Sequence, residues 1–368
     1  MNLPLISIIV GTRPEAIKLA PVVLAFRKEK LIKTRLILTG QHSEMVKQVI
    51  NIFNLKPDLD LGIMKTKQSL TYITSQTLEG LGKEFQENKP NLVIVQGDTS
   101  TAFSAALAAF YEKIPVAHVE AGLRTENLMD PYPEELNRRL ISQISSLHFA
   151  PTELCRDNLL RSGIKKDIEV TGNTVIDSLM KISKKAEPPI LEKIDWKSKK
   201  VILATIHRRE NWGSKLIEIS KGLRRILDNN EDAFLLIPLH PNEIVRSPLR
   251  KELENHSRTL LIEPLGYKSL IGAIKGCYFI MTDSGGLQEE APSLSKPVLV
   301  LRETTERIEG IKYGTSKLIG TNNNNIYKEA DELLNNKSLY LKMSKANNPY
   351  GDGKASEKIL KKCLTFLL

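Results

Sequence analysis

The sequence predicts an α/β protein made of two parallel-sheet domains. Three observations carry that expectation: a length of 368 residues, short apolar runs alternating with amphipathic stretches almost end to end, and one polar interruption near the middle. At roughly 150 residues per domain, the length accommodates two cores. With 41% hydrophobic and 26% charged residues, the composition is that of a globular chain and excludes disordered or disulfide-stapled classes.

Strands are expected at 6–10, 35–39, 92–96, 116–119 and 147–150, then at 201–205, 234–238, 260–263, 278–282 and 298–301. The lysine-rich segment 181–200, which carries Glu187-Pro188-Pro189, breaks this alternation and is expected to connect the two domains. Cys155, Cys277 and Cys363 are widely separated, form no Cys-x-x-Cys pair, and are expected to be buried small hydrophobes. No apolar run approaches the roughly 18 residues that span a bilayer, and the stretch 3–10 reads as a strand rather than a leader. A cytoplasmic protein without a membrane partner is therefore expected. The formal charge of +10 invites a nucleic-acid reading, but the lysines are scattered and no nucleic-acid-binding signature accompanies them. The positive balance suits an anionic small substrate equally well.

Parallel sheets bind ligands at the carboxyl ends of their strands, and the unusual residues fall there. After the first strand, Gly11-Thr12-Arg13-Pro14-Glu15-Ala16-Ile17-Lys18 combines a tight turn, a helix start and two cations. This is either an anion site at a helix N-terminus or a surface turn with solvated charges. The P-loop spacing and the Gly-x-Gly-x-x-Gly fingerprint are both absent, so neither ATP hydrolysis nor hydride transfer is signalled. Gly97-Asp98-Thr99 and His118-Val119-Glu120-Ala121-Gly122 each put a carboxylate at a strand end, and Glu134 opens a helix soon after. Singly, Asp98 reads equally as an N-cap or as a catalytic carboxylate, and Glu134 equally as a helix-dipole partner or as a catalytic one. Together, on strands about 4.8 Å apart, such carboxylates perturb one another as acid/base chemistry requires.

In the second half, Thr282-Asp283-Ser284-Gly285-Gly286 turns strand into helix, presenting unhindered N–H groups and a helix dipole to a diphosphate. Arg302 and Arg307 follow within reach, and Glu290 in the helix is suited to a pair of sugar hydroxyls or to a capping role. His207 and His240, also at strand ends, read as structural hydrogen-bonders or as functional groups. The histidines lack close ligand spacing, so no metal is expected.

Read together, these motifs resemble the non-hydrolysing UDP-N-acetylglucosamine 2-epimerases over essentially the whole chain. The resemblance also takes in Pro133-Glu134-Glu135-Leu136-Asn137-Arg138, Thr205-Ile206-His207-Arg208-Arg209-Glu210-Asn211, Thr304-Thr305-Glu306-Arg307 and Asn348-Pro349-Tyr350-Gly351-Asp352-Gly353. It implies two Rossmann-like domains in a GT-B arrangement with a UDP-sugar in the interdomain cleft, a homodimer, no cofactor, and a place in polysaccharide biosynthesis. The domains would cover 1–172 and 173–353, with a C-terminal helix at 354–368 packing back on the first. Asp98, Glu120 and Glu134 would be the acid/base carboxylates, joined in catalysis by His207 at the leaving diphosphate and by Lys18. Arg13, Lys18, Asp98, Glu120, His207, Ser284, Gly285, Gly286, Glu290 and Arg307 would contact the substrate. The implied reaction eliminates UDP to 2-acetamidoglucal and re-adds it to give UDP-N-acetylmannosamine.

Two departures stand out: Ile308 follows the Thr-Thr-Glu-Arg motif where proline is frequent, and Leu265-Gly266-Tyr267 replaces a Gln-Asp-Tyr found in some members. A subset of the family binds UDP-N-acetylglucosamine at a second, regulatory site, with which Gln41, Gln68, Arg208 and His240 are compatible. Rival readings keep the fold and change the chemistry, to glycosyl transfer or to hydrolytic release of N-acetylmannosamine.

Overall fold

A computed structural model describes every residue except Met1, Asn2, His42, Lys67, Glu126 and Glu192, and the side chain of Ser43. The chain divides into two compact units, Met1–Ser178 with Tyr350–Leu368, and Leu179–Pro349. Unit 1 contains β1 (Leu5–Val10), β2 (Lys33–Leu38), β3 (Leu59–Asp60), β4 (Leu92–Gln96), β5 (Val116–Val119), β6 (Leu147–Ala150) and β7 (Ile168–Val170), in the order β3-β2-β1-β4-β5-β6-β7. Unit 2 contains β8 (Lys200–Thr205), β9 (Ala233–Pro238), β10 (Thr259–Ile262), β11 (Phe279–Thr282), β12 (Val298–Val300) and β13 (Ser316–Leu318), in the order β10-β9-β8-β11-β12-β13. Every pairing is parallel, so two Rossmann-like α/β sheets stand as expected.

All ten expected strands form, with ends displaced by a residue or two. The sequence reading passes over β3, β7 and β13, which are two or three residues long and at or next to sheet edges, too short to show a pattern of their own. In unit 1, Ile9, Ile37, Val93 and Val95 of the sheet meet Leu81, Phe85 and the alanine-rich face Ala102, Ala105, Ala106 and Ala109. Those small residues let the helix Ser100–Tyr111 lie close to the sheet, and its N-terminus is thereby held against the strand ends.

The boundaries lie a few residues from the expected 172/173 and 353/354, for a reason visible around Asp177. This buried carboxylate on the helix Thr174–Ser183 accepts the amides of Ala355 (3.2 Å) and Ser356 (2.8 Å) and the Ser356 hydroxyl (2.5 Å). It thus caps the C-terminal helix Ala355–Leu367, whose Ile359 and Cys363 are buried. Asn173 N also bonds Tyr350 O at 2.7 Å, tying both chain segments into unit 1. The expected connecting segment is corrected by its packing: Lys275 Nζ donates to Ser183 O and Ala186 O at 2.9 and 2.6 Å, and a Cβ at Gly272 would meet Glu187 O at 1.9 Å. Residues 183–187 are thus fastened to unit 2, and the division at 178/179 falls inside the helix Thr174–Ser183. The three cysteines are buried, and among the described residues no helix is long and apolar enough to cross a membrane.

Candidate active site

Strand order reverses between β1 and β4 in unit 1 and between β8 and β11 in unit 2, and such switch points open crevices at strand carboxyl ends. In unit 1 the crevice is bordered by Gly11-Thr12-Arg13 and by Gly97-Asp98. Glu15, wholly buried, accepts the amides of Gly11 and Thr12 at 2.6 Å and the Thr99 hydroxyl, pinning the two turns to each other. Burial pushes its carboxyl above the ordinary range despite these bonds. Those two amides are thus taken by the protein's own carboxylate. Arg13 opens the helix Arg13–Lys28, whose first turn also holds Pro14.

Asp98 is not an N-cap, since Thr99 Oγ1 caps the following helix by accepting Ala102 N at 3.0 Å. Its carboxylate is instead gripped by Arg138, and its backbone carbonyl accepts Asn137 Nδ2 at 2.9 Å. Glu134 starts the helix Glu134–Ile144, which brings Arg138 one turn further along the same face. Burial, with the nearby charge of Asp98, pushes the Glu134 carboxyl upward. Glu120 follows β5 directly, in the left-handed region at φ 64°, a conformation costing a non-glycine residue about 1 kcal/mol or more. Lys18 Nζ (2.5 and 2.6 Å), Gln96 Nε2 and Asn173 Nδ2 (2.8 Å) hold its carboxylate. Behind it, fully buried His118 donates Nε2–H to Gly97 O at 2.7 Å, and burial lowers the ring's pKa to about 3, so it stays neutral.

In unit 2, Ser284 stands at the N-cap position of the helix Gly285–Ser293, without a side-chain capping bond, and the helix begins on Gly285 and Gly286. A Cβ on Gly285 would sit 3.1 Å from Arg307 Cζ, so the guanidinium lies against the glycine turn. Arg307 donates Nε to Glu289 (2.9 Å) and NH1 to Glu306 (2.7 Å). Arg302 joins Glu306 (2.7 Å) to Glu210 (2.6 Å). Burial would raise Glu306, but Arg307 and Arg302 bring it down to about 2, so it is ionised. Glu290 accepts Tyr267 Oη at 2.8 Å, so the tyrosine common to Leu265-Gly266-Tyr267 and Gln-Asp-Tyr holds that carboxylate. His207 follows β8 beside buried Asp283 and stacks on His240 with ring centroids 6.2 Å apart.

The family profile described as UDP-N-acetylglucosamine 2-epimerase matches residues 24–364. The chain belongs to this family. Its enzyme class is accordingly that of an epimerase, an isomerase. The UDP-N-acetylglucosamine 2-epimerase of Bacillus subtilis is 49% identical over 356 residues, covering 96% of this chain and 93% of that protein. The namesake from Campylobacter jejuni is 47% identical, with 96% of each covered. The solved Neisseria meningitidis UDP-GlcNAc 2-epimerase bound to UDP-GlcNAc superposes with a TM-score of 0.89 at 45% identity, covering 98% of this chain and 99% of that one.

Within this epimerase chain, the four residues named for a second site fall into two pairs. In unit 1, Gln68 Nε2 donates to Gln41 O at 3.1 Å, and Thr101 Oγ1 meets Gln41 Oε1. In unit 2, Arg208 and His240 flank His207, Arg208 lying 3.5 Å from Glu306. Sequence reasoning passed over Gln96, Asn173, Asp283 and Glu306 as site residues. Arg138 was findable from its four-residue spacing to Glu134; Asn173 follows a three-residue edge strand and carries no local signal. Among the described residues, no group of three or more His, Cys, Asp or Glu side chains is placed to hold a metal ion.

Proposed function

We propose that this chain interconverts UDP-N-acetylglucosamine and UDP-N-acetylmannosamine by eliminating and re-adding UDP across C1–C2. One observation carries the reading: Asp98, Glu120 and Glu134 gather at the carboxyl rim of a single sheet, and Glu120 is kept there in a costly backbone conformation by three donors. In the forward direction a carboxylate takes the C2 proton, the C1=C2 bond forms, and the C1–O bond breaks with its electron pair leaving on the β-phosphate oxygen. 2-Acetamidoglucal and UDP result. UDP oxygen then re-forms the bond to C1 while a proton reaches the opposite face of C2, so no redox cofactor is needed. Glu134, whose proton affinity is raised by burial and by Asp98, is the better placed of these carboxylates to hold a proton.

The unit 2 rim would hold UDP. Ser284, Gly285 and Gly286 offer backbone donors to the diphosphate, Arg307 and His207 meet the charge that grows on the leaving oxygen, and Glu290 takes the ribose hydroxyls. Arg13 and Lys18 would add cations from unit 1. The UDP-GlcNAc in the Neisseria enzyme supports this class of ligand. A homodimer, a cytoplasmic location and a regulatory UDP-N-acetylglucosamine near Gln41, Gln68, Arg208 and His240 complete the proposal. Hyperbolic forward kinetics, and a reverse reaction that runs without added UDP-N-acetylglucosamine, would remove the regulatory site.

Proton NMR in deuterated water with UDP-N-acetylglucosamine tests the chemistry. UDP-N-acetylmannosamine carrying deuterium at C2 is expected. Free N-acetylmannosamine with UDP would mean hydrolysis and overturn the reading.

A further inference from the structure

Asp283 is a charged group with no solvent exposure, placed where β11 ends at the unit 2 switch point. Its Oδ2 accepts His207 N (2.9 Å), Arg208 N (2.9 Å) and Asn211 Nδ2 (3.0 Å), while Oδ1 lies 3.1 Å from His207 N and 3.2 Å from His207 Nδ1. A buried carboxylate that collects donors from one short segment fixes both the path of that segment and the orientation of the ring it carries. Thr205 Oγ1 and Thr282 Oγ1, 2.6 Å apart, lock the two strand ends just beneath. The His207 side chain is 41% exposed, so it reaches out of this buried base to the surface.

We propose that Asp283 is a positioning residue for the epimerisation: by accepting from His207 Nδ1–H it holds the imidazole in one tautomer and one orientation, leaving Nε2 as the nitrogen that meets the departing diphosphate. Its logic is that of a carboxylate behind a working histidine. A ring bonded at Nδ1 to a fixed anion cannot rotate to present the wrong nitrogen, and when the ring carries a second proton at Nε2 toward the diphosphate its counter-charge is already in place. The burial of Asp283 also explains why an aspartate is used. Four donors from the 207–211 segment face it, and a neutral amide there would turn an acceptor into a donor against some of them. The inference rests on the assignment of His207 to the leaving group made above.

Ring ¹⁵N–¹H correlation spectroscopy on the unmodified protein, with the His207 signals identified by their loss in His207→Asn, reads the tautomer directly. A proton on Nδ1 facing Asp283 is expected; a ring protonated at Nε2 and bare at Nδ1 overturns the inference, whatever the kinetics. The steady-state comparison uses His207→Asn, Asp283→Asn and the double variant. Asp283→Asn is expected to lower kcat by about 10- to 100-fold with KM changed only slightly, and the double variant to be no slower than His207→Asn alone. Losses that multiply in the double variant would show Asp283 acting on the fold and not through His207, overturning the proposal. Full kcat in His207→Asn would overturn the assignment of His207 together with this inference, and is recognisable because the wild-type tautomer is measured separately. Should Asp283→Asn fail to fold, the tautomer in the unmodified protein decides.

Discussion

Lys18 Nζ lies 2.5 and 2.6 Å from the two carboxylate oxygens of Glu120, a residue 102 positions further along the chain. The pair ties the first helix of unit 1 to the end of β5, and the Glu120 side chain is almost fully buried. Removing one partner of such a pair leaves an uncompensated charge. Lys18→Met is therefore expected to destabilise the protein by about 3 kcal/mol, and adding Glu120→Gln to recover much of that loss. Denaturant unfolding of the single and double variants checks this; additive losses would show that the two groups do not depend on each other.

Asp98 is held by Arg138 and Asn137 on the helix that begins with Glu134. Asp98→Asn keeps the shape and removes the charge, so turnover should be abolished while UDP affinity stays within a few-fold. Coupled assay and calorimetric titration of UDP separate the two effects. Unchanged turnover would take Asp98 out of the mechanism.

The Arg307 guanidinium rests on the Gly285 turn. Truncation to alanine should weaken UDP binding by roughly 1–3 kcal/mol, the cost of one charge-assisted contact to phosphate. An unchanged dissociation constant for UDP would show that Arg307 serves only Glu289 and Glu306.

His118 imposes a pH dependence on stability. Burial lowers its pKa to about 3 from the ordinary 6.5, so the unfolded chain takes up a proton that the folded one refuses. The neutral ring's contribution is complete above pH 6.5 and is lost as pH falls toward 3, by at most about 1.4 kcal/mol per pH unit. Thermal unfolding followed from pH 7 down to pH 4 should fall less steeply for His118→Asn than for the native protein. Parallel curves would mean that another group takes up the proton.

Much was legible without coordinates. Parallel α/β architecture, ten of the strands, the glycine turns after them and the carboxylates Asp98, Glu120 and Glu134 are properties of contiguous stretches, where side-chain period and turn chemistry act over a few residues. The family resemblance rests on the same local strings. Tertiary structure decided the rest, because it depends on which strands become neighbours. Only the sheet order makes β1 and β4, or β8 and β11, flank a crevice. Only that order delivers Lys18 and Asn173 to Glu120, seats Asp283 behind His207, and lets Asp177 cap a helix almost 180 residues away. It also seats the carboxylate of Glu15 on the N–H groups of Gly11 and Thr12 and against Thr99. A contact between distant residues leaves no local period in the chain, so its partners become visible only once the strands are in register.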